Sequence, residues 1–483
     1  MSRRLIAGVV LAAAAVGAAA GERTERFDQD PGWDGHHNRP PAGAARPVRQ
    51  DFGYSRTAHA GGQPGEVGGL VTPAAETAYY GKRLPQKTFK DPLSASGRLL
   101  VKPGAGHALV GFFNSRTVNE WRTPNTVALR LLGRGDIFFA YVEYCTGHWR
   151  AGGDSPGGFA TVRDPRTGRE SLRGFQAGVP HQWTLKYDPA GNNGGGSVTV
   201  TLGGETAVCH LDAGHIGDGA TFDRFGLLPV LKSADGPGEV WLDDVTVNGA
   251  ADDFADDPGW EGVNNRREYR TADVRPWFDF GFSPTRHAGG KAAGELGGLV
   301  FRGDCRYPDK LAAYGDRVGP LTLDKPLRAS GRVALRRAVS DSTVLLGFYH
   351  SKESLATDPG QDSGWPRGFL GLAVEGPSRD GFFVYPAYRL PGGGQGHADG
   401  PDRPRIMPDG AAHDWALGYD PAAAGGRGRI TVKLDGKTAA VDLGAGHRAA
   451  GGRFDRFGLV TTWVDGNGQR IFFDDLTYTS GQE

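Results

Sequence analysis

The sequence predicts an all-β protein built from two tandem antiparallel β-sandwich domains. Three observations carry that prediction: a repeat of about half the chain, apolar residues alternating with a period of two, and the lack of any long helical apolar stripe in residues 21–483. A chain of 483 residues exceeds one ordinary core and suffices for two. Its 78 glycines, 31 prolines and 10 tryptophans describe a turn-rich globular protein with rings available for packing or stacking.

The first segment reads as an export signal. Met1-Ser2-Arg3-Arg4, an apolar run from Leu5 to Ala19 and the small residues Ala18-Ala19-Ala20 form its three parts, with cleavage expected after Ala20. Ser2-Arg3-Arg4-Leu5-Ile6 has some likeness to a twin-arginine motif, but its charged region is one residue long and the general route is the default. No other stretch has the apolar length to span a bilayer, so a secreted or extracytoplasmic protein without membrane insertion is expected. Removing Arg3 and Arg4 leaves near-balanced charge, which gives no electrostatic reason for nucleic acid as a partner. Cys145, Cys209 and Cys305 lack metal-ligand spacing; the first two admit one disulfide, and buried thiols are at least as good a reading.

The repeat sets the domain division. Phe27-Asp28-Gln29-Asp30-Pro31-Gly32-Trp33 returns as Phe254-Ala255-Asp256-Asp257-Pro258-Gly259-Trp260, and Asn38-Arg39 returns as Asn265-Arg266. The segment from Asp51 to Gly69, with Tyr54, His59 and Glu66, returns from Asp279 to Gly298 with His287 and Glu295. Phe222-Asp223-Arg224-Phe225-Gly226-Leu227 matches Phe454 to Leu459. The expected organisation is therefore a signal over 1–20, one domain over 21–250 and a second over 251–483, each of roughly 225 residues and joined with almost no linker. Within each copy Trp183, Leu185 and Tyr187, then Val198, Val200 and Leu202, predict a hairpin with one apolar face. Trp415, Leu417 and Tyr419 with Ile430, Val432 and Leu434 repeat it.

The order His181-x-Trp183-x-Leu185-x-Tyr187-Asp188-Pro189, glycine-rich turn, alternating strand and closing Asp-Asp strand resembles the second half of laminin G-like and other concanavalin A-like domains. It covers the last third of each copy best. The resemblance implies a jelly-roll sandwich, with glycan binding or glycan cleavage as frequent uses.

Specific enzyme signatures are missing. The Glu-x-Asp-x-x-Glu strand of laminarinase-like glycosidases does not occur, nor do His-Glu-x-x-His or a P-loop. Gly153-Asp154-Ser155-Pro156-Gly157 mimics a serine elbow, but Pro156 has no N–H for an oxyanion. The catalytic candidates are His59 with Glu66 and His287 with Glu295, as acid/base pairs among glycines. The duller account, favoured, is that the glycines serve turns while Glu66 pairs with Arg39 or Arg98. Ligand-binding candidates are Trp33, Asn38, Arg39 and Tyr54, Trp260, Asn265 and Arg266, and the loop tryptophans Trp149 and Trp365. Rings beside polar forks suit a sugar, although a strand pinned by a buried tryptophan explains Trp33 equally simply. Asp243 and Asp474 share a strand face with Trp241 and Phe472 and with the residues that follow, which aims both carboxylates inward. Each then needs an arginine, backbone N–H groups or a structural calcium as partner; the first two are favoured, no other cofactor is expected, and a bulge would reverse the facing. His181/His413 and His215/His447 suit turn or core hydrogen bonding.

The first functional hypothesis is thus a secreted polysaccharide-binding or glycan-binding protein. Its rivals are a polysaccharide hydrolase or lyase using the His/Glu pairs, and a structural surface protein.

Overall fold

The computed structural model describes residues 21–118, 123–153, 159, 161–163, 170–231, 236–273, 277–338, 341–358, 365–378, 380–461 and 466–481. The signal segment and most of the serine-elbow mimic lie outside the described residues.

Strands dominate, and four large antiparallel sheets pair into two sandwiches. In the first sandwich one sheet runs in the order 205–210, 197–202, 181–188, 93–101, 238–247, 66–71, 46–55 and 266–271. Its partner sheet runs 151–152, 137–145, 126–134, 107–113, 221–229, 79–88 and 261–263. The second sandwich follows the same plan: 437–442, 429–434, 412–420, 327–338, 468–480, 295–301 and 279–283 face 395–397, 381–389, 369–378, 342–349, 453–460, 313–322 and 34–36.

The expected hairpins form with the expected facing. Trp183, Leu185 and Tyr187 stand opposite Leu202, Val200 and Val198, and all six are buried in one core. Trp415, Leu417 and Tyr419 do the same with Leu434, Val432 and Ile430 in the other. Period-two patterning fixes register because a slip of one residue would turn every ring to water.

The division at 250/251 is crossed by hydrogen bonds in both directions. Residues 21–39 form an arm that packs on the second sandwich: strand Gly21–Glu25 pairs with Gly468–Ser480, and Asp34–His36 pairs with Ala313–Thr322. Residues 250–266 form the matching arm on the first sandwich, where Ala250–Asp252 pairs with Gly238–Val247 and Glu261–Val263 pairs with Tyr79–Thr88. The registers correspond. Glu25 meets Leu476 as Asp252 meets Val245, and Asp34 meets Gly315 as Glu261 meets Gly81. Phe27 and Trp33 accordingly sit in the second core, and Phe254 and Trp260 in the first.

Glycine makes the docking sterically feasible. Gly65 has φ +120°, and a Cβ there would lie 1.9 Å from the Phe254 carbonyl oxygen; at Gly294 it would lie 1.9 Å from that of Phe27. Any side chain would push the arm off its sandwich.

Candidate functional site

The two His/Glu pairs come together, but as loop supports. Glu66 is fully buried and accepts the backbone N–H groups of His59 and Ala60, both at 2.8 Å. Glu295 accepts those of His287 at 2.9 Å and Ala288 at 2.8 Å, and the Thr285 hydroxyl at 2.5 Å. The carboxylates therefore tie the His-Ala-Gly-Gly loops to the sheet. The imidazoles point elsewhere, His59 packing at a tilt against Trp241 with centroids 4.6 Å apart and His287 against Phe472 at 4.5 Å. Neither Arg39 nor Arg98 is the partner expected for Glu66: Arg39 pairs with Asp279 at 2.9 Å and Arg98 with Asp244 at 3.2 Å. Backbone amides near in sequence reach the buried carboxylate at a smaller entropic cost than a long side chain would.

A bulge corrects the facing of Asp243 and Asp474. Asp244 and Asp475 adopt φ +52° and +48°, and the pairing of each strand with its neighbour slips at this point. Leu242, Val245 and Val247 consequently all enter the core, while Asp243 stays beside Trp241 on the outer face under the loop at Gly61. A Cβ on Gly61 would stand 1.4 Å from Asp243 Oδ2, and one on Gly290 would stand 1.8 Å from Asp474 Oδ2. Each aspartate accepts the next residue's N–H, at 2.8 Å and 2.6 Å. Both Glu66 oxygens face N–H donors, and no group of three or more His, Cys, Asp or Glu side chains placed to hold a metal occurs among the described residues.

Burial raises the Asp243 carboxyl and pushes that of Asp474 up to about 6 from 3.8. Between these two pH values the folded chain holds a proton at Asp474 that the unfolded chain releases. Stability from this group is therefore present at low pH and declines as pH rises through the window, staying reduced above about 6. Asp474→Asn is expected to stabilise the protein at pH 8 by on the order of 1–3 kcal/mol, and to be nearly neutral at pH 4. Equal shifts in melting temperature at both pH values would contradict the buried-charge account.

The predicted tryptophan and fork residues mostly anchor the arms. Trp33 packs 5.8 Å from Tyr314 and 5.3 Å from Phe27; Trp260 packs 5.9 Å from Tyr80 and 5.4 Å from Phe254. The Asn38 amide donates to the Phe280 carbonyl at 2.6 Å, and the Asn265 amide to that of Phe52 at 2.5 Å. Arg39 and Arg266 donate to the carbonyls of Phe282 and Tyr54 at 2.7 Å and 2.6 Å. Trp149 reaches across to pack on the second core, and Trp365 lies half-buried against Tyr385 and His397. His215 and His447 each accept or donate to a tyrosine hydroxyl, Tyr144 at 2.8 Å and Tyr388 at 2.9 Å. His181 bonds the Gln176 carbonyl and His413 bonds Asp435. The three cysteines are buried thiols.

Two candidates, Tyr54 and Arg266, do converge. They line a groove of about 390 Å³ on the outer face of the first sandwich with Arg49, Asp51, Gly68, Gly69, Glu239 and Trp241. Glycines form the floor, so backbone and the Trp241 ring lie close to anything that enters. The Trp241 indole donates to Glu239 at 3.1 Å, and Glu239 also holds Lys102 at 2.6 Å. Arg49 and Asp51 pair at 2.6 Å with both side chains about half exposed. Sharing Arg49 and Leu70, a second hollow of about 490 Å³ continues along the same face past Arg46, Glu268, Tyr269 and Arg270. At the positions of Tyr54, Glu239 and Trp241 the second sandwich carries Phe282, Arg470 and Phe472.

A cluster that sequence reasoning missed sits on the other sheet. Arg130 lies 2.5 Å from Glu143, 3.2 Å from His107 Nε2 and 4.0 Å above the Tyr141 ring, and His107, Arg130 and Glu143 are buried. These residues alternate with core-facing Val127, Leu129, Leu131 and Val142, so charges at the positions between core residues of apolar runs were the available signal. In the second sandwich the corresponding face holds Glu375, bonded by Arg302 at 2.8 Å and by the Tyr385 hydroxyl.

Several solved β-sandwich proteins are similar to this chain. Domains LG4-5 of the mouse laminin alpha1 chain are 14% identical, with a TM-score of 0.23 over 89% of this chain and 91% of that one. An alginate lyase from Pseudomonas aeruginosa is 13% identical, with a TM-score of 0.23 over 42% of this chain and 87% of its own. An endo-1,3-beta-glucanase from Streptomyces sioyaensis is 12% identical, with a TM-score of 0.21 over 38% and 90%. No protein-family model matches, and no curated protein does. At such identities and overlaps the likeness is one of sandwich layout and says nothing of what this chain binds. No helix among the described residues is long and apolar enough to cross a membrane.

Proposed function

We propose that this chain is an exported carbohydrate-binding protein made of two related concanavalin A-like sandwiches, and that it holds a glycan chain in the groove between Tyr54, Trp241 and Arg266. The observation that carries the reading is the groove's chemistry: an indole beside two guanidinium groups and two carboxylates, over a glycine floor. A sugar offers an apolar face to rings and vicinal hydroxyls to bidentate forks, which is the complement of that lining. The continuing hollow supplies length for more than one sugar unit. The altered lining of the second sandwich supports a different specificity there. Export rests on the three-part segment of residues 1–20.

The test is retention on a panel of soluble polysaccharides, with chain length followed in the same samples. Arg49→Ala combined with Asp51→Ala is expected to weaken binding at least about tenfold, since charged hydrogen bonds contribute roughly 1.5–3 kcal/mol each. Both side chains are half exposed, so the melting temperature should hold. Undiminished retention by that variant, or no retention by the parent, would sink the groove.

A second reading has its own observation, the convergence of His107, Arg130, Tyr141 and Glu143 on the opposite sheet. An imidazole, a phenol and a carboxylate around one guanidinium are the parts of acid/base catalysis on an acidic sugar. Shortening of a polysaccharide that Glu143→Gln abolishes would put that reading first.

A further inference from the structure

We infer that the face of the second sandwich covered by residues 21–39 is an exchangeable acceptor, and that its other occupant is the same arm from a second copy of this chain. In the first sandwich, strand Gly238–Val247 passes through the turn at Asn248 and Gly249 straight into its arm, which folds back at once. In the second sandwich the corresponding strand, Gly468–Ser480, is met in the same register by residues from the far end of the sequence. Gly21 stands opposite Ser480. Residues 21–39 thus occupy on the second sandwich the place that residues 250–266 occupy on the first.

The acceptor chemistry is complete without reference to which chain supplies the arm. Trp33 enters beside Tyr314, Asn38 bonds the Phe280 carbonyl, and Asp34 pairs with Arg317 and Arg456, both at 2.8 Å. The hydrogen bond from Arg317 holds the Asp34 carboxyl below its ordinary value. All of these partners lie in residues 279–480, and residues 40–45 alone carry the arm back to the first sandwich. That hinge begins Pro40-Pro41, and residues 41–43 are exposed. A short hinge bearing an arm that binds a distant face is the arrangement from which strand exchange between copies arises. Within one chain the hinge keeps the local arm concentration near the millimolar range, so self-closure wins at dilution and exchange wins on refolding at high concentration. Because arm and acceptor are different surfaces, exchange is heterologous and yields closed rings or open strings of copies.

The experiment uses full chains in which Cys145, Cys209 and Cys305 are replaced by Ala and a single cysteine is introduced, Thr24→Cys in one and Thr477→Cys in the other. The two hydroxyls are 3.1 Å apart across the strand pair, so a disulfide there reports arm docking directly. The two variants, unfolded and refolded together under oxidising conditions, are expected to give a cross-linked heterodimer whose yield rises about tenfold with tenfold higher protein concentration. A chain carrying both cysteines should close on itself at low concentration. In parallel, deleting residues 41–44 should shift the species in light scattering from one copy to two or more. Closure of the double variant with no heterodimer from the pair at any concentration would overturn the proposal. A shortened chain that fails to fold leaves the cysteine pair to decide.

Discussion

Trp33→Ala is expected to destabilise the protein by about 3–5 kcal/mol, and to loosen the second sandwich although residue 33 lies near the start of the chain. The indole is 9% exposed and touches Phe27, Tyr314 and Tyr478, three rings of the second core. Its removal leaves a cavity that Phe457, stacked on Tyr478 at 4.3 Å, cannot fill without breaking that stack. Hydrogen exchange should therefore accelerate first in strands Ala313–Thr322 and Arg453–Val460. Trp260→Ala should give the mirror result, with loss of protection in Tyr79–Thr88 and Thr221–Pro229. If each tryptophan instead loosened the sandwich nearest to it in sequence, the crossed arms would be wrong.

That crossing marks where the sequence stops being legible. Period two in Trp183, Leu185 and Tyr187 specified a hairpin because both partners lie within twenty residues and the turn between them is rich in glycine. The match of Phe27 to Phe254 showed that the arm recurs, but a repeat is silent on which sandwich receives it: either copy offers the same pocket. Asp243 was misplaced for a different reason. Alternation assumes an unbroken ladder, and a single residue at positive φ turned Val245 and Val247 to the core and left Asp243 outside. Tyr54 and Arg266 were each picked for their chemistry, yet their meeting in one groove depends on the crossed arm and lay beyond any reading of local spacing. The His107–Arg130–Glu143 cluster was hidden because its members belong to three strands that only the sheet order brings together.

Glu66→Ala is the other substitution with a large expected effect, about 3–5 kcal/mol, and it separates support from chemistry. The carboxylate is 0% exposed and is the acceptor for two amides, so alanine leaves both N–H groups buried without a partner and opens a void beneath the loop. Gln in the same place keeps one acceptor oxygen but turns an NH₂ toward the other amide, a donor against a donor, at a cost of roughly 1–3 kcal/mol. Stability should thus fall in the order parent, Glu66→Gln, Glu66→Ala, and exchange of the His59 and Ala60 amides should accelerate in the same order. His59 would lose its seat on Trp241, and with it one wall of the groove would shift. Any polysaccharide shortening lost in Glu66→Gln consequently points to proton transfer only where the melting temperature and the His59 amide are unchanged; a graded loss tracking both is what a supporting carboxylate predicts.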